Sequence, residues 1–222
     1  MDRRSTDWFN NRPEFKRWSS DKSSQFLWYA RECDSGITSH QVRQLSDNAN
    51  MHKQDIAYFF CSPSIPIRGV SVGRPLTPSL VLCSIIAQLL HSDYDRGKND
   101  RLKCINSIHE RQLLAASTSA HLVSDKCLFD LLKCIVDAKP NREIQIVVDS
   151  IDNLQEDSIS FLQQLRYLWD VTMEKTEVIM KVLVTSRWAE RIQDILKNLP
   201  FIDQEAEASG RCSLPFVSEI DG

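Results

Sequence analysis

No stretch of this 222-residue sequence stays apolar for anything near the ~20 residues that cross a bilayer, so no membrane-spanning helix is expected. The N-terminus, MDRRSTDWFNNRP, has no apolar segment of the kind that directs secretion, and no secretory leader is expected either. Basic charge is not in surplus. Lys and Arg number 27 against 30 Asp and Glu, a formal charge of −3, and no basic stripe stands out. Nucleic acid is therefore not expected as a partner. Paired cysteines are missing as well: the seven present are odd in number, scattered and free of any CxxC spacing. That argues for reduced thiols in a cytosolic or nuclear setting, and a cytoplasmic location is the expectation. Cys127 and Cys134 could share a helix face, and Cys104 and His109 could do something similar. Neither pair completes the four ligands of a closed zinc site, so these thiols read as small buried side chains. Internal repeats are absent.

What is present fits one soluble domain with a substantial core, at 42% apolar and 26% charged residues. The chain is organised around IQIVVDSID, residues 144–152. Ile144, Ile146, Val147 and Val148 form a β-branched run that suits a strand buried on both faces of a parallel sheet. The run ends in Asp149, with Asp152 three residues on. A carboxylate at the C-terminal end of such a strand lies where open α/β sheets bind ligands, and could hold a Mg²⁺ ion bridging nucleotide phosphates. The competing reading is that Asp149 caps a turn and Asp152 is simply solvated.

Along the chain, DWFNNRPEFKRW (7–18) reads as short helical pieces, with Pro13 suited to a first helical turn and Trp8, Phe9, Phe15 and Trp18 covering an edge of the core. QFLWYA (25–30) is a strand followed by a polar loop and the helix-compatible HQVRQLSDNA, the layout in which phosphate-binding loops occur. IAYFFC (56–61) is a second strand, followed by a Pro- and Gly-containing loop. Thr77 and Pro78 open a helix that is apolar nearly all round and so should be heavily buried. Helices are expected at 101–116, 125–138, 156–170 and 188–199, and a further buried strand at 178–184 runs into Thr185, Ser186 and Arg187. Strands alternating with helices predict an α/β fold: a doubly wound, mainly parallel sheet flanked by helices. The expected division is a lead-in helical segment (1–23), the main domain (24–202) and a mobile tail (203–222).

Three stretches in this order resemble the NACHT-like domains of fungal STAND NTPases, related to the nephrocystin-type N-terminal P-loop domain. WFNNRPEFKRW with QFLWYARECDSGIT is similar to the family's lead-in helix, first strand and Walker A loop. IAYFFC with TPSLVLCSIIAQLL is similar to the second strand and its helix, and IQIVVDSIDNL with KVLVTSR to Walker B and the strand ending in a sensor arginine. The resemblance implies a P-loop NTPase-like fold binding ATP or GTP with Mg²⁺, and a role as a switch between an effector domain and a repeat sensor. It places Asp149 and Thr38 at the metal, Gly36, Thr38 and Arg31 at the nucleotide, and Asp152 and Arg187 in catalysis. Protein partners are implied, namely the effector and repeat regions this chain lacks or homologous proteins. The chain then reads as a fragment of a longer product or a truncated gene.

The sequence also departs from that pattern. Where family loops read GxxGxGK[ST], this chain has Arg31, Glu32, Cys33, Asp34, Ser35, Gly36, Ile37 and Thr38. Glycines let successive backbone N–H groups turn toward phosphate without a Cβ clash, and the lysine supplies a point charge. Here Arg31 and Asp34 replace two glycines and Ile37 replaces the lysine. Glu32 and Asp34 add like charge, which at ~4 Å and an effective dielectric of ~20 repels phosphate by about 4 kcal/mol. After Asp152 the chain has Asn153 where the family continues with Glu, and Asn cannot take up a proton as a general base. The expectation is a degenerate nucleotide-binding-fold module that hydrolyses little or nothing. The alternatives are an active switch with a non-standard loop and a ligand-free scaffold.

Overall fold

The computed structural model describes residues 9–30, 42–45, 47, 54–61, 76–95, 124–154, 157–174, 177–187, 190–197 and 199–203. Their order is α1 (Pro13–Ser20), β1 (Gln25–Ala30), β2 (Asp55–Phe60), α2 (Pro78–Asp95), α3 (Asp125–Asp137), β3 (Arg142–Asp149), a 3₁₀ turn (Ile151–Leu154), α4 (Asp157–Met173), β4 (Val178–Ser186), α5 (Glu190–Leu196) and β5 (Phe201–Asp203). The five strands form one sheet in the order β2-β3-β4-β1-β5. Every neighbouring pair is parallel. The fold is thus the expected P-loop NTPase-like α/β architecture, with a parallel sheet between two helical layers. The expected helix at 101–116, the loop at 31–38 and the tail beyond Asp203 lie outside the described residues.

The sheet is covered on both faces because its strands alternate two apolar sets. Phe26, Trp28, Ala57, Phe59, Ile144, Ile146, Val148, Met180, Val182 and Val184 face one cluster, shared with α2, α3, α4 and α5. Leu27, Tyr29, Val147 and Leu183 face another, which contains Phe9, Phe15, Trp18, Val42 and Leu45. Of the lead-in aromatics, Phe9, Phe15 and Trp18 are buried in this second cluster, and Trp8 lies outside the described residues. Phe9 and Phe15 sit 4.6 Å apart between ring centres and Phe9 and Tyr29 4.8 Å. The indole N–H of Trp18 donates to the Val182 carbonyl at 3.0 Å. Helix α2 starts at Pro78, with the Thr77 hydroxyl accepting the Leu80 N–H, and its Val81, Leu82, Ile85, Ile86 and Leu89 are buried as its composition requires. Helix α3 begins the same way, on Ser124. Among the described residues, no helix is long and apolar enough to cross a membrane. Cys61, Cys83, Cys127 and Cys134 are free thiols.

The short β5 is the element the sequence did not announce. It is three residues long, and it is held by pairing with Trp28, Tyr29 and Ala30 after the Pro200 carbonyl accepts the Trp28 N–H. At the opposite edge, β2 is shielded by a side chain. Gln88 of α2 accepts the Tyr58 N–H through Oε1 at 3.1 Å and donates Nε2 to the Tyr58 carbonyl at 2.8 Å, imitating a neighbouring strand. An open edge invites pairing with another chain, and this amide blocks it. Gln88→Ala should lower stability by about 1–2 kcal/mol and promote concentration-dependent association, read by denaturant titration and light scattering. Unchanged stability and association would show that the edge needs no such cover.

Candidate functional site

The connection leaving β1 returns as helical residues 42–45, whose Val42 and Leu45 lie on the Leu27, Tyr29, Val147 and Leu183 face. The helices following β2, β3 and β4 pack on the other face. In open α/β sheets, connections leaving adjacent strands on opposite sides mark the usual ligand position, which here is the C-terminal ends of β1 and β4. Ala30 and Ser186 are register partners at that point, and the Trp28 indole donates to the Ser186 hydroxyl at 2.9 Å.

Asp149 is the last residue of β3, beside Phe60 in register, and is 5% exposed. Its Oδ1 accepts the Thr185 hydroxyl at 2.5 Å and its Oδ2 the Ser150 hydroxyl at 3.2 Å. Thr185 in turn accepts the Ser150 N–H at 2.9 Å. Ser150 has φ of 57°, the left-handed region that costs a non-glycine residue about 1–2 kcal/mol. That turn throws the chain into the 3₁₀ segment and presents Asp152. The Asp152 carboxylate accepts the Arg187 backbone N–H at 3.1 Å and its Nε at 2.6 Å. So the two acidic residues and the arginine singled out from sequence are brought together at the ends of β3 and β4. Arg187 is held by Asp152 from below, yet its side chain is 68% exposed.

The third contributor is the end of β2. The Cys61 N–H donates to the Asp149 carbonyl at 2.9 Å, extending the ladder by one bond, and the Cys61 carbonyl accepts the Asn153 side-chain amide at 2.5 Å. Burial pushes the Cys61 thiol far above its ordinary range, and the charges of Asp149 and Asp152 reinforce this. The thiol therefore stays protonated and is no nucleophile. Asn153, standing where a general base is expected, spends its amide on holding strand ends together.

Gly36, Thr38 and Arg31 lie outside the described residues, and what the structure brings together is Asp149, Asp152 and Arg187. Thr185, Ser150 and Cys61 were missed as members of this cluster. Their signal in the sequence was slight: hydroxyls ending a strand (VTSR) and a serine between two carboxylates. The donor set around Asp149 is hard oxygen, which suits Mg²⁺, an ion commonly bound by one or two carboxylates together with substrate phosphates. Among the described residues no three His, Cys, Asp or Glu side chains converge as a self-sufficient metal cage.

Among solved structures, the chain is similar to the ORC1 protein of Aeropyrum pernix in complex with DNA, at 14% identity and a TM-score of 0.43, over 90% of this chain and 43% of that one. It is also similar to Drosophila ORC bound to DNA, at 12% identity and a TM-score of 0.45, over 86% of this chain and 87% of that one. A third likeness, at 13% identity and a TM-score of 0.43, is to Drosophila ORC bound to AT-rich DNA and Cdc6, over 95% of this chain and 64% of that one. This chain thus spans less than half of the Aeropyrum pernix protein. These neighbours are DNA-bound, and they correct the expectation that excluded nucleic acid. Net charge sums the whole chain, whereas contacts to phosphate and bases depend on where a few basic side chains sit, so a total of −3 is no ground for that exclusion. No curated protein matches the chain. Residues 4–187 match the model described as Nephrocystin 3, N-terminal, and the chain belongs to that family.

Proposed function

We propose that this chain is a nucleotide-binding-fold module with a degenerate phosphate loop, acting in a regulatory or interaction role and hydrolysing nucleotide little or not at all. The observation that carries the reading is the buried Asp149 carboxylate at the C-terminal end of β3, hydrogen-bonded to Thr185 at the end of β4. In this reading residues 24–202 form the nucleotide-binding unit, 1–23 lead into it and 203–222 follow it. Asp149 and Thr38 hold a Mg²⁺ ion, which when bound neutralises phosphate charge. Gly36, Thr38 and Arg31 meet the nucleotide, and Arg187 faces its terminal phosphate. Asp152 serves by fixing Arg187, since both its oxygens are engaged by that residue.

Two features argue against turnover. Ile37 stands in the place of the phosphate-loop lysine, and the Asn153 amide is committed to the Cys61 carbonyl. Phosphoryl transfer rests on positioning and charge stabilisation, so losing a cation and a base together removes several kcal/mol. Steady-state phosphate release with ATP–Mg²⁺ or GTP–Mg²⁺ should stay at background. Turnover of ~1 per second that Asp149→Ala abolishes would overturn the reading. Calorimetric titration with both nucleotides, beside thermal unfolding, separates this module from a ligand-free scaffold. A nucleotide at 100 times its Kd adds about 2.7 kcal/mol of stability, and a scaffold gains none.

A further inference from the structure

Thr185 is 1% exposed and sits at the penultimate position of β4. Its hydroxyl makes two bonds of opposite sense, donating to Asp149 Oδ1 at 2.5 Å and accepting the Ser150 N–H at 2.9 Å. The directions are dictated by the partners. An ionised carboxylate only accepts and a backbone amide only donates, so a single hydroxyl serves both and no apolar side chain serves either. Threonine is also stiff at χ1, which keeps that oxygen in one place. The hydroxyl therefore sets the orientation of the Asp149 carboxylate. Through the Ser150 amide it also secures the left-handed turn at φ 57° that delivers Asp152 to Arg187.

We infer that Thr185 is the positioning residue of this site, holding the Asp149 carboxylate in the orientation that receives a hard divalent cation accompanied by nucleotide phosphates. The inference rests on the nucleotide-binding reading above. Side chains that orient a metal-binding carboxylate commonly change metal affinity roughly 10–100-fold when removed. The role assigned to Thr185 is to hold Asp149, to which its hydroxyl donates, while its oxygen accepts the Ser150 N–H.

The experiment compares the parent with Thr185→Val, which keeps the shape and loses the hydroxyl, and Thr185→Ser, which keeps the hydroxyl. Mn²⁺ binding in the presence of ATP is followed by water-proton relaxation, and exchange of the Ser150 amide by NMR. The expected result is a loss of Mn²⁺ affinity of roughly 10–100-fold in Thr185→Val, with recovery in Thr185→Ser. Ser150 amide exchange should accelerate about tenfold in the valine variant and be restored by serine. Should Thr185→Val not fold, Thr185→Ala removes the same hydroxyl and takes its place. Equal Mn²⁺ affinity in the parent and the folded valine variant overturns the inference and leaves the nucleotide reading standing. A parent that binds no Mn²⁺ with ATP overturns the nucleotide reading, and the cation role of Thr185 falls with it.

Discussion

Asp55→Ala should destabilise the protein by about 3–5 kcal/mol, a loss large enough to unfold a marginal domain. Asp55 begins β2 at the end of the sheet opposite the candidate site and has no exposed surface. Its carboxylate accepts Arg142 Nη1 at 3.1 and 2.9 Å, Lys139 Nζ at 3.3 Å and the Ser92 hydroxyl at 2.5 Å. Lys139 also donates to the Leu89 carbonyl at 3.0 Å. One carboxylate thus ties β2 to the start of β3, to the turn after α3 and to α2. Removing it leaves the buried Lys139 and Arg142 without their shared anion, the costly way to break such a cluster. Lys139→Met should cost less, because Asp55 keeps its paired contact with Arg142. Urea denaturation of both variants checks the ordering, and a smaller loss for Asp55→Ala than for Lys139→Met would contradict it.

The same cluster sets an acid limit. Burial alone raises the Asp55 carboxyl, but the Ser92 hydrogen bond, the Lys139 charge, and the hydrogen bond and charge of Arg142 outweigh it and hold the group below its ordinary value of 3.8. A carboxyl depressed on folding binds its proton more readily in the unfolded chain. Its contribution is complete above that ordinary value and is lost as pH falls through the lower folded value. The stability difference between parent and Asp55→Ala should therefore hold steady at neutral pH and narrow as the medium becomes more acidic than the ordinary carboxylate range.

These charges show where sequence reading reaches and where it stops. The strand at 144–148 was legible because β-branched residues with no polar partner set can satisfy both faces only inside a sheet, and the structure buries them all. Asp149 was legible because the run stops on it. Asp55 and Arg142 were not, although each opens a strand. Hydropathy counts a charge as a boundary, whereas here opposite charges from residues 55 and 142 neutralise each other inside the fold. Lys181 makes the same point within β4. It is 1% exposed, pairs with Glu143 at 2.9 Å and donates to the Ser19 carbonyl. Such pairings are long-range in sequence and leave no periodic trace. Thr185 was visible as a strand end, but its bonds to Asp149 and Ser150 exist only once β3 and β4 are side by side. The three residues of β5 are too short to carry an alternation at all.

Repairing the phosphate loop should strengthen nucleotide binding by one to two decades. The proposed site has its acidic and arginine half assembled, with Asp149, Thr185, Asp152 and Arg187 linked by short hydrogen bonds. In the proposed reading, the departures from the phosphate-loop pattern concentrate in residues 31–38. Arg31→Gly and Asp34→Gly together return backbone freedom and remove a carboxylate that repels phosphate, and Ile37→Lys supplies the missing cation. A charged hydrogen bond to phosphate contributes roughly 1.5–3 kcal/mol, which is that one to two decades in Kd. The triple variant and the parent are compared by calorimetry with ATP–Mg²⁺ at matched ionic strength, because a gain that rests on charge weakens with salt. Adding Asp149→Ala to the repaired loop should cancel much of the gain, since the phosphates then lose the cation that the carboxylate holds. A folded triple variant that binds no better than the parent would place the defect beyond the loop. The acidic cluster at the ends of β3 and β4 would then be structural, fixing the turn at Ser150 and the exit of β4 without serving a ligand.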